Sequence, residues 1–287
     1  MLAFSKYHGL GNDFVLVDGR ELDVRFPGTV GQKLCDRHRG IGADGVLVWT
    51  GSLQKPEMTV VNADGSVAEM CGNGLRCFVK YLLDRHLLDA NALTVRTGNG
   101  DLHCVAKRDA QGQVATVDVQ MGVATFAPAE IPLAHPERMI DQPVVLADCT
   151  VRLTALSLGN PHAVTFDSIS DTERARLGPL LGGHALFPHQ ANISFAQVLA
   201  GDRPRMRVDV YERGSGWTLA CGTGATASVI AAVETGRLPR NCEIAVKLPG
   251  GWLSVTVADD GRATMRGPAV HVYDGVISLP RLLSGEV

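Results

Sequence analysis

Apolar and polar positions alternate with a period near two over most of this chain. That pattern predicts short strands separated by glycine-marked turns. Residues 2–8 and 14–18 flank Gly9-Leu10-Gly11-Asn12-Asp13 and read as a hairpin whose turn exposes Asn12 and Asp13. Helix-like spacing follows over 28–38, then a glycine-rich loop over 39–45 and strands at 46–49 and 58–61. Further strands are expected at 93–96, 102–106 and 114–121. The proline-rich stretch 126–143 reads as a surface excursion, after which the alternation resumes at 150–157 and 163–166. A helix over 172–181 and a loop over 184–191 precede strands at 193–198 and 206–211. Strands at 244–248, 253–257 and 263–266 follow, and 269–279 reads as a final strand pair turning at Asp274-Gly275.

Two segments break the alternation in the same way. Residues 210–233 pass from Glu212-Arg213-Gly214 through Cys221-Gly222-Thr223-Gly224 into a run of small apolar residues spaced as a buried helix. Residues 60–83 do the same, with Cys71-Gly72-Asn73-Gly74 opening the helical run. A polar residue, Asn62 or Glu212, stands nine positions before each cysteine. Upstream, Leu10-Gly11-Asn12 is echoed by Leu158-Gly159-Asn160. The two cysteines lie 150 residues apart and the two asparagines 148. Such a long-period echo is first a statement about architecture. It predicts two similar α+β halves by internal duplication, each a mostly antiparallel sheet wrapped around one central helix.

Composition narrows the function classes. With 45% hydrophobic and 20% charged residues and a net charge of −3, the chain is an ordinary globular protein with no electrostatic footprint for nucleic acid. The opening residues lack the apolar core of a signal peptide, and the longest apolar run is too short to cross a bilayer. A cytoplasmic protein with no membrane partner is therefore expected. Seven cysteines without an export signal favour thiols over a disulfide framework. Cys35, Cys77, Cys104, Cys149 and Cys242 lack the glycine-turn context and read as structural.

Several motifs are weighed and set aside. Gly40–Gly45 fits G-x-G-x-x-G, but no strand runs into it and no helix follows. Gly222–Ala227 fits G-x-G-x-x-A and opens a helix, yet the acidic residue some twenty positions on, Glu243, begins a strand rather than ending one. No cysteine pair has zinc-site spacing, so no metal is expected. A thiol switch between Cys71 and Cys221 would explain the cysteines but not the polar set around them.

That set comprises Asn12, Asn62, Asn160, His162, Glu212 and Arg213, all beside turns on the cysteine side. A cysteine at a helix N-terminus faces backbone N–H groups and the positive end of the macrodipole, so its thiolate is favoured. Arginine can fork onto a carboxylate, and the asparagines can hold an amine or a carboxylate. Two thiols, an arginine and two helix starts make a pocket suited to an amino acid. Two like acid–base groups on opposite faces of an α-carbon can exchange its proton from either side, one as thiolate and one as thiol. The anionic intermediate would be stabilised by N–H groups around the carboxylate.

The segments HGLGNDFVLVD, GIGADG, NADGS, CGNGLRC, LGNPH, ERGSGWTLACGTGA, LPGG and HVYDG, in this order, closely resemble diaminopimelate epimerase over nearly the whole chain. The resemblance implies a homodimer and a cofactor-free interconversion of LL- and meso-2,6-diaminopimelate in lysine and peptidoglycan precursor synthesis. It implies an active site in a cleft between halves at 1–118 plus 268–287 and at 119–267. By motif, Cys71 and Cys221 are the proton-transfer residues. Asn12, Asn62, Asn160, Asn192, Glu212 and Arg213 contact substrate, and Gly72, Asn73, Gly222 and Thr223 supply helix-start N–H groups. His162 and Glu212 are similar to residues that tune the cysteines, and Tyr273 to a dimer-contact tyrosine. Two positions depart from the pattern. Gly45 stands where some members carry a substrate-reaching glutamine, and Trp217 where an acidic residue or proline is frequent. Enzymes of the same fold that act on proline or hydroxyproline form the in-class alternative.

Overall fold

The computed structural model describes residues 1–21, 28–88 and 90–284. Chain segments 22–27, 89 and 285–287, all of which fall in the sequence-assigned N-terminal half, lie outside the described residues. The fold divides into two compact units, Met1–Val119 with Gly267–Val287, and Gln120–Arg266.

The first unit opens with β1 (Leu2–Gly9) and β2 (Asn12–Asp18), joined through Leu10 and Gly11 at φ 58° and 84°. Positive φ at both central residues is the twist that closes a two-residue hairpin, and it places Asn12 at the first position of β2. Helix α1 (Gly28–Cys35) leads to β3 (Gly45–Gly51), which pairs parallel with β2 and antiparallel with β4 (Pro56–Asn62). A short β5 (Val67–Ala68) folds back on β4. Helix α2 (Gly72–Asp84) follows, then β6 (Ala92–Thr97), β7 (Gly100–Arg108) and β8 (Val114–Val123) as an antiparallel meander. Helix α2 is buried from Gly72 to Leu83 and packs against β1, β2, β4 and β7. Burial on all sides explains why it carries charge only at Arg76, Lys80 and its last residue, Asp84.

In the second unit β9 (Gln142–Val145) pairs with β10 (Thr150–Ser157), and β10 pairs antiparallel with β11 (Pro161–Thr165). Helix α3 (Asp171–Gly182) is capped by Ser170, whose Oγ accepts from the Glu173 amide. Strand β12 (Asn192–Leu199) pairs parallel with β11 and antiparallel with β13 (Arg205–Glu212), which turns into β14 (Gly216–Trp217). Helix α4 (Gly222–Glu234) is followed by β15 (Ile244–Leu248), β16 (Gly251–Val257) and β17 (Arg262–Pro268), and packs chiefly against β16, β12 and β11. Helix α4 is buried from Gly222 to Val233. Its hydroxyls at Thr226 and Ser228 survive that burial by donating to the carbonyls of Gly222 and Gly224 at 2.9 and 2.8 Å. The chain returns to the first unit through β18 (Val270–Ile277), antiparallel to β1, and ends in α5 (Leu279–Ser284). Each unit is thus a mostly antiparallel sheet around one apolar helix, the α+β duplication that the sequence predicts.

Two expectations are corrected. The stretch 126–143 is no mere surface excursion: Ile131, Leu133 and Met139 are buried in the core of the second unit with Leu153, Leu177 and Phe187. Its prolines mark a chain path that dips into the core with little regular hydrogen bonding. Asp274-Gly275 is not a turn either. Asp274 and Gly275 oppose Ser5 and Phe4 in the β1–β18 ladder, so 270–277 is one strand followed by a helix. A Cβ at Gly275 would sit 2.5 Å from the Phe4 ring, so this glycine serves ring packing rather than chain reversal.

Candidate active site

The two cysteines occupy equivalent positions. Cys71 is the N-cap of α2 and Cys221 the N-cap of α4, both in extended backbone conformation, at φ −139° and −122°. Each sulfur accepts the amide N–H three residues on, Gly74 at 3.4 Å and Gly224 at 3.3 Å. A thiol thus does what serine or aspartate does at an ordinary helix start. The glycines at that third position let the amide come close. A Cβ at Gly224 would lie 3.2 Å from the Cys221 sulfur and 2.9 Å from Val210 Cγ2. The first amides of a helix point outward along its axis at the positive end of the dipole. In these two helices they belong to Gly72-Asn73 and Gly222-Thr223.

Around Cys71 the first unit sets an amide relay. Asn12 Oδ1 lies 3.9 Å from the Cys71 sulfur and accepts from Asn73 Nδ2 at 3.1 Å. Asn12 Nδ2 donates to Asp44 at 2.9 Å. Arg37 bridges Asp44 and Asp13, and Lys6 closes on Asp13 from beneath the sheet. Burial works against the Asp13 charge, but Arg37 and Lys6 win and hold its carboxyl down at about 2. Asn62 ends β4 opposite Gly45, and its Nδ2 donates to Ser66 Oγ at 3.0 Å across the Gly65 turn.

Around Cys221 the second unit presents a denser set. Cys221 Sγ lies 3.5 Å from Thr223 Oγ1, and Asn160 Nδ2 reaches the same hydroxyl at 3.5 Å. Asn160 Oδ1 meets His162 Nε2 at 3.0 Å. Asn192 receives the Arg213 backbone N–H at 2.9 Å and donates to the Pro161 carbonyl at 3.0 Å. Glu212 accepts from Thr218 Oγ1 and stands against the Cys221 sulfur. Arg213 is exposed and touches the His189 carbonyl at 3.4 Å; among the described residues no carboxylate pairs with it. Its guanidinium can therefore receive a substrate carboxylate.

The expectation of a lowered cysteine pKa fails at Cys221. Burial, at 4% exposure, pushes this thiol well above its ordinary value. The Glu212 carboxylate pushes it further, and the Thr223 hydroxyl and Gly224 amide offset only part of this. Burial and the neighbouring carboxylate thus favour the thiol form of Cys221. His162 is fully buried and neutral: desolvation, aided by the Arg213 charge, drops it to about 3. Its Nε2 bonds to Asn160 Oδ1, which it helps to orient.

The two departures also find their places. A Cβ at Gly45 would meet the Val61 carbonyl oxygen at 3.0 Å, so a longer side chain here would have to push aside backbone. Trp217 packs on Tyr211 and Phe195 at ring distances of 5.5 and 5.7 Å and braces the hairpin that carries Glu212 and Arg213. The glycine motif at 40–45 caps α1, with the amides of Ile41 and Gly42 both donating to the Leu34 carbonyl. Sequence reasoning passes over Asp44, Thr218 and the fully buried Arg76, because each takes its role from a contact that spacing along the chain does not display.

The family model of diaminopimelate epimerase matches residues 4–127 and 154–272. The diaminopimelate epimerase of a Synechocystis species is 43% identical over 279 residues, spanning 96% of this chain and 98% of that protein. This chain belongs to the diaminopimelate epimerase family. The diaminopimelate epimerase of Gloeothece citriformis is 41% identical, over 97% of this chain and 99% of its own length. The fold of the family extends to a probable proline racemase from Agrobacterium radiobacter K84, at a TM-score of 0.72 and 14% identity over 98% of this chain and 95% of that one. Both matched segments of the family model contain a cysteine-capped helix start, so family membership rests on both units.

Proposed function

We propose that the protein interconverts LL- and meso-2,6-diaminopimelate without a cofactor, with Cys71 and Cys221 as the two proton-transfer groups. The observation that carries this reading is the matched pair of cysteine N-caps, each with its sulfur on a helix-start amide. In one direction the Cys71 thiolate takes the α-proton: the C–H bond breaks, an S–H bond forms and the electron pair passes into the carboxylate. The Cys221 thiol gives its proton to the opposite face, which leaves Cys221 as thiolate and Cys71 as thiol. The next turnover runs the other way. Burial and Glu212 keep Cys221 protonated in the state described, which supports Cys71 as the base of this half-reaction.

Gly72, Asn73, Gly222 and Thr223 hold the reacting carboxylate by helix-start N–H groups, where negative charge builds up as the proton leaves. Asn12, Asn62, Asn160, Asn192, Glu212 and Arg213 bind the remaining amine and carboxylate groups, and His162 keeps Asn160 in place. The enzyme works as a cytoplasmic homodimer through Tyr273. Support for the dimer is that β18 leaves Val272, Tyr273 and Val276 exposed, with Tyr273 edge-on to Phe4 at 5.9 Å. Among the described residues no helix is long and apolar enough to cross a membrane.

In deuterium oxide the enzyme should label the α-carbon of LL-diaminopimelate and leave proline untouched. Cys71→Ala and Cys221→Ala should each abolish epimerisation. Near-normal turnover by both variants refutes the two-base reading. Reversible thiol oxidation with no isomerase activity would mark a redox switch instead.

A further inference from the structure

Arg76 lies one turn into α2, and its side chain is 0% exposed. A guanidinium so placed costs a great deal unless its hydrogens find acceptors. They do: Nε donates to the Pro268 carbonyl at 3.1 Å, Nη1 to the Gly72 carbonyl at 3.3 Å and Nη2 to Asn73 Oδ1 at 2.8 Å. The slot is made by two glycines. A Cβ at Gly9 would stand 3.0 Å from Nη2, and one at Gly267 would stand 2.9 Å from Nε. Bulk is therefore removed from two strands to seat one charged group under the catalytic turn.

The polarity of the contacts fixes what this group does. Arginine only donates, so Asn73 must turn its oxygen toward Arg76 and its NH₂ toward Asn12. Asn12 must then turn its oxygen toward Asn73, which also aims it at the Cys71 sulfur. At the far end Asn12 Nδ2 meets the carboxylate of Asp44, which only accepts. A donor at one end and an acceptor at the other leave the two amides between them one orientation. We propose that Arg76 is a positioning residue for Cys71: it locks the Asn73–Asn12 relay against the sulfur and supplies a buried positive charge that favours the thiolate. This role rests on Cys71 serving as a proton-transfer group. The electrostatics point the same way: burial opposes the arginine's charge, while Cys77 first and Cys71 second favour it.

Two variants separate the relay from the charge. Arg76→Gln removes the charge and keeps a donor, whereas Arg76→Lys keeps the charge and loses the fork. The full-length protein is alkylated with iodoacetamide from about pH 6 to 10, and labelling of the Cys71 peptide is followed by mass spectrometry. In Arg76→Gln the midpoint for Cys71 should rise by about one pH unit, as expected for loss of a nearby cation, and the ascending limb of kcat should move with it. In Arg76→Lys the midpoint should stay near the wild-type value, while kcat falls about ten-fold or more with KM little changed, the mark of a misplaced reacting group. An unmoved Cys71 midpoint in folded Arg76→Gln overturns the proposal. Wild-type kcat in Arg76→Lys overturns it too, and that arm stands if Arg76→Gln does not fold. Alkylation needs no substrate, so a protein inactive on diaminopimelate would refute the proposed function while the midpoint still decides the role of Arg76.

Discussion

Replacing Glu212 by glutamine tests the electrostatics of the second cysteine directly. The amide keeps an oxygen for the Thr218 hydroxyl, so the hairpin contact survives and only the charge is lost. Two effects raise the Cys221 thiol, burial first and the Glu212 carboxylate second. The variant removes the second and leaves the first. A pair of unit charges about 4 Å apart interacts by about 4 kcal/mol at an effective dielectric near 20. Glu212 is half-buried, and solvent screening cuts this to about a third, about 1.4 kcal/mol or one pH unit. Cys221 in the variant should therefore titrate about one unit lower yet still above an exposed cysteine, because burial remains. At about pH 8 alkylation of the Cys221 peptide should run about ten-fold faster than in wild type. The descending limb of the epimerase pH profile, which reports loss of the acid thiol, should move to lower pH by the same amount. If Cys221 is labelled at the wild-type rate, or more slowly, the carboxylate does not hold this proton and the argument fails.

Two other perturbations act on the same unit. Gly224→Ala puts a Cβ 2.9 Å from Val210 and 3.2 Å from the Cys221 sulfur, so about 1–3 kcal/mol of overpacking outweighs a helix-propensity gain of at most about 1. Urea unfolding should show the loss together with reduced kcat; unchanged stability would mean that the helix start shifts freely. His162 binds no proton in the folded state until about pH 3, while the unfolded chain takes one near 6.5. Its contribution to stability is therefore complete above about pH 6.5 and is lost as pH falls toward 3, at up to about 1.4 kcal/mol per pH unit. His162→Gln should flatten that part of the stability profile measured by denaturant; an equal slope in both proteins would refute the assignment.

Much of the fold is readable in the sequence because it is written twice. Burial on every side of α2 and α4 forces small and apolar residues, and the capping cysteine and glycine turn recur at a fixed distance upstream of each helix. What escapes is whatever depends on a partner far along the chain. Asp274-Gly275 has turn chemistry, yet its neighbours Ser5 and Phe4 in the ladder lie some 270 residues away and keep the strand straight. The buried side chains of Ile131, Leu133 and Met139 likewise follow from the core they enter and from no local periodicity.

The site shows the same division. Residue types and spacing name Cys71, Cys221, Asn12, Asn160 and Arg213, because a helix start, an amide and a guanidinium each have chemistry of their own. Protonation has no such local signature. A helix dipole argues for thiolate at both cysteines, and at Cys221 it loses, because the dipole is worth at most about 2 kcal/mol whereas burial can move a titrating group by several pH units. The two helix starts are alike in sequence and differ in what surrounds them: Cys221 is buried beside a carboxylate, while Cys71 is half-buried above a guanidinium. In the proposed two-base exchange one sulfur holds the proton that the other lacks, and the two change places at each turnover. The duplication supplies two equivalent frames, and Glu212 and Arg76, one in each unit, make them unequal.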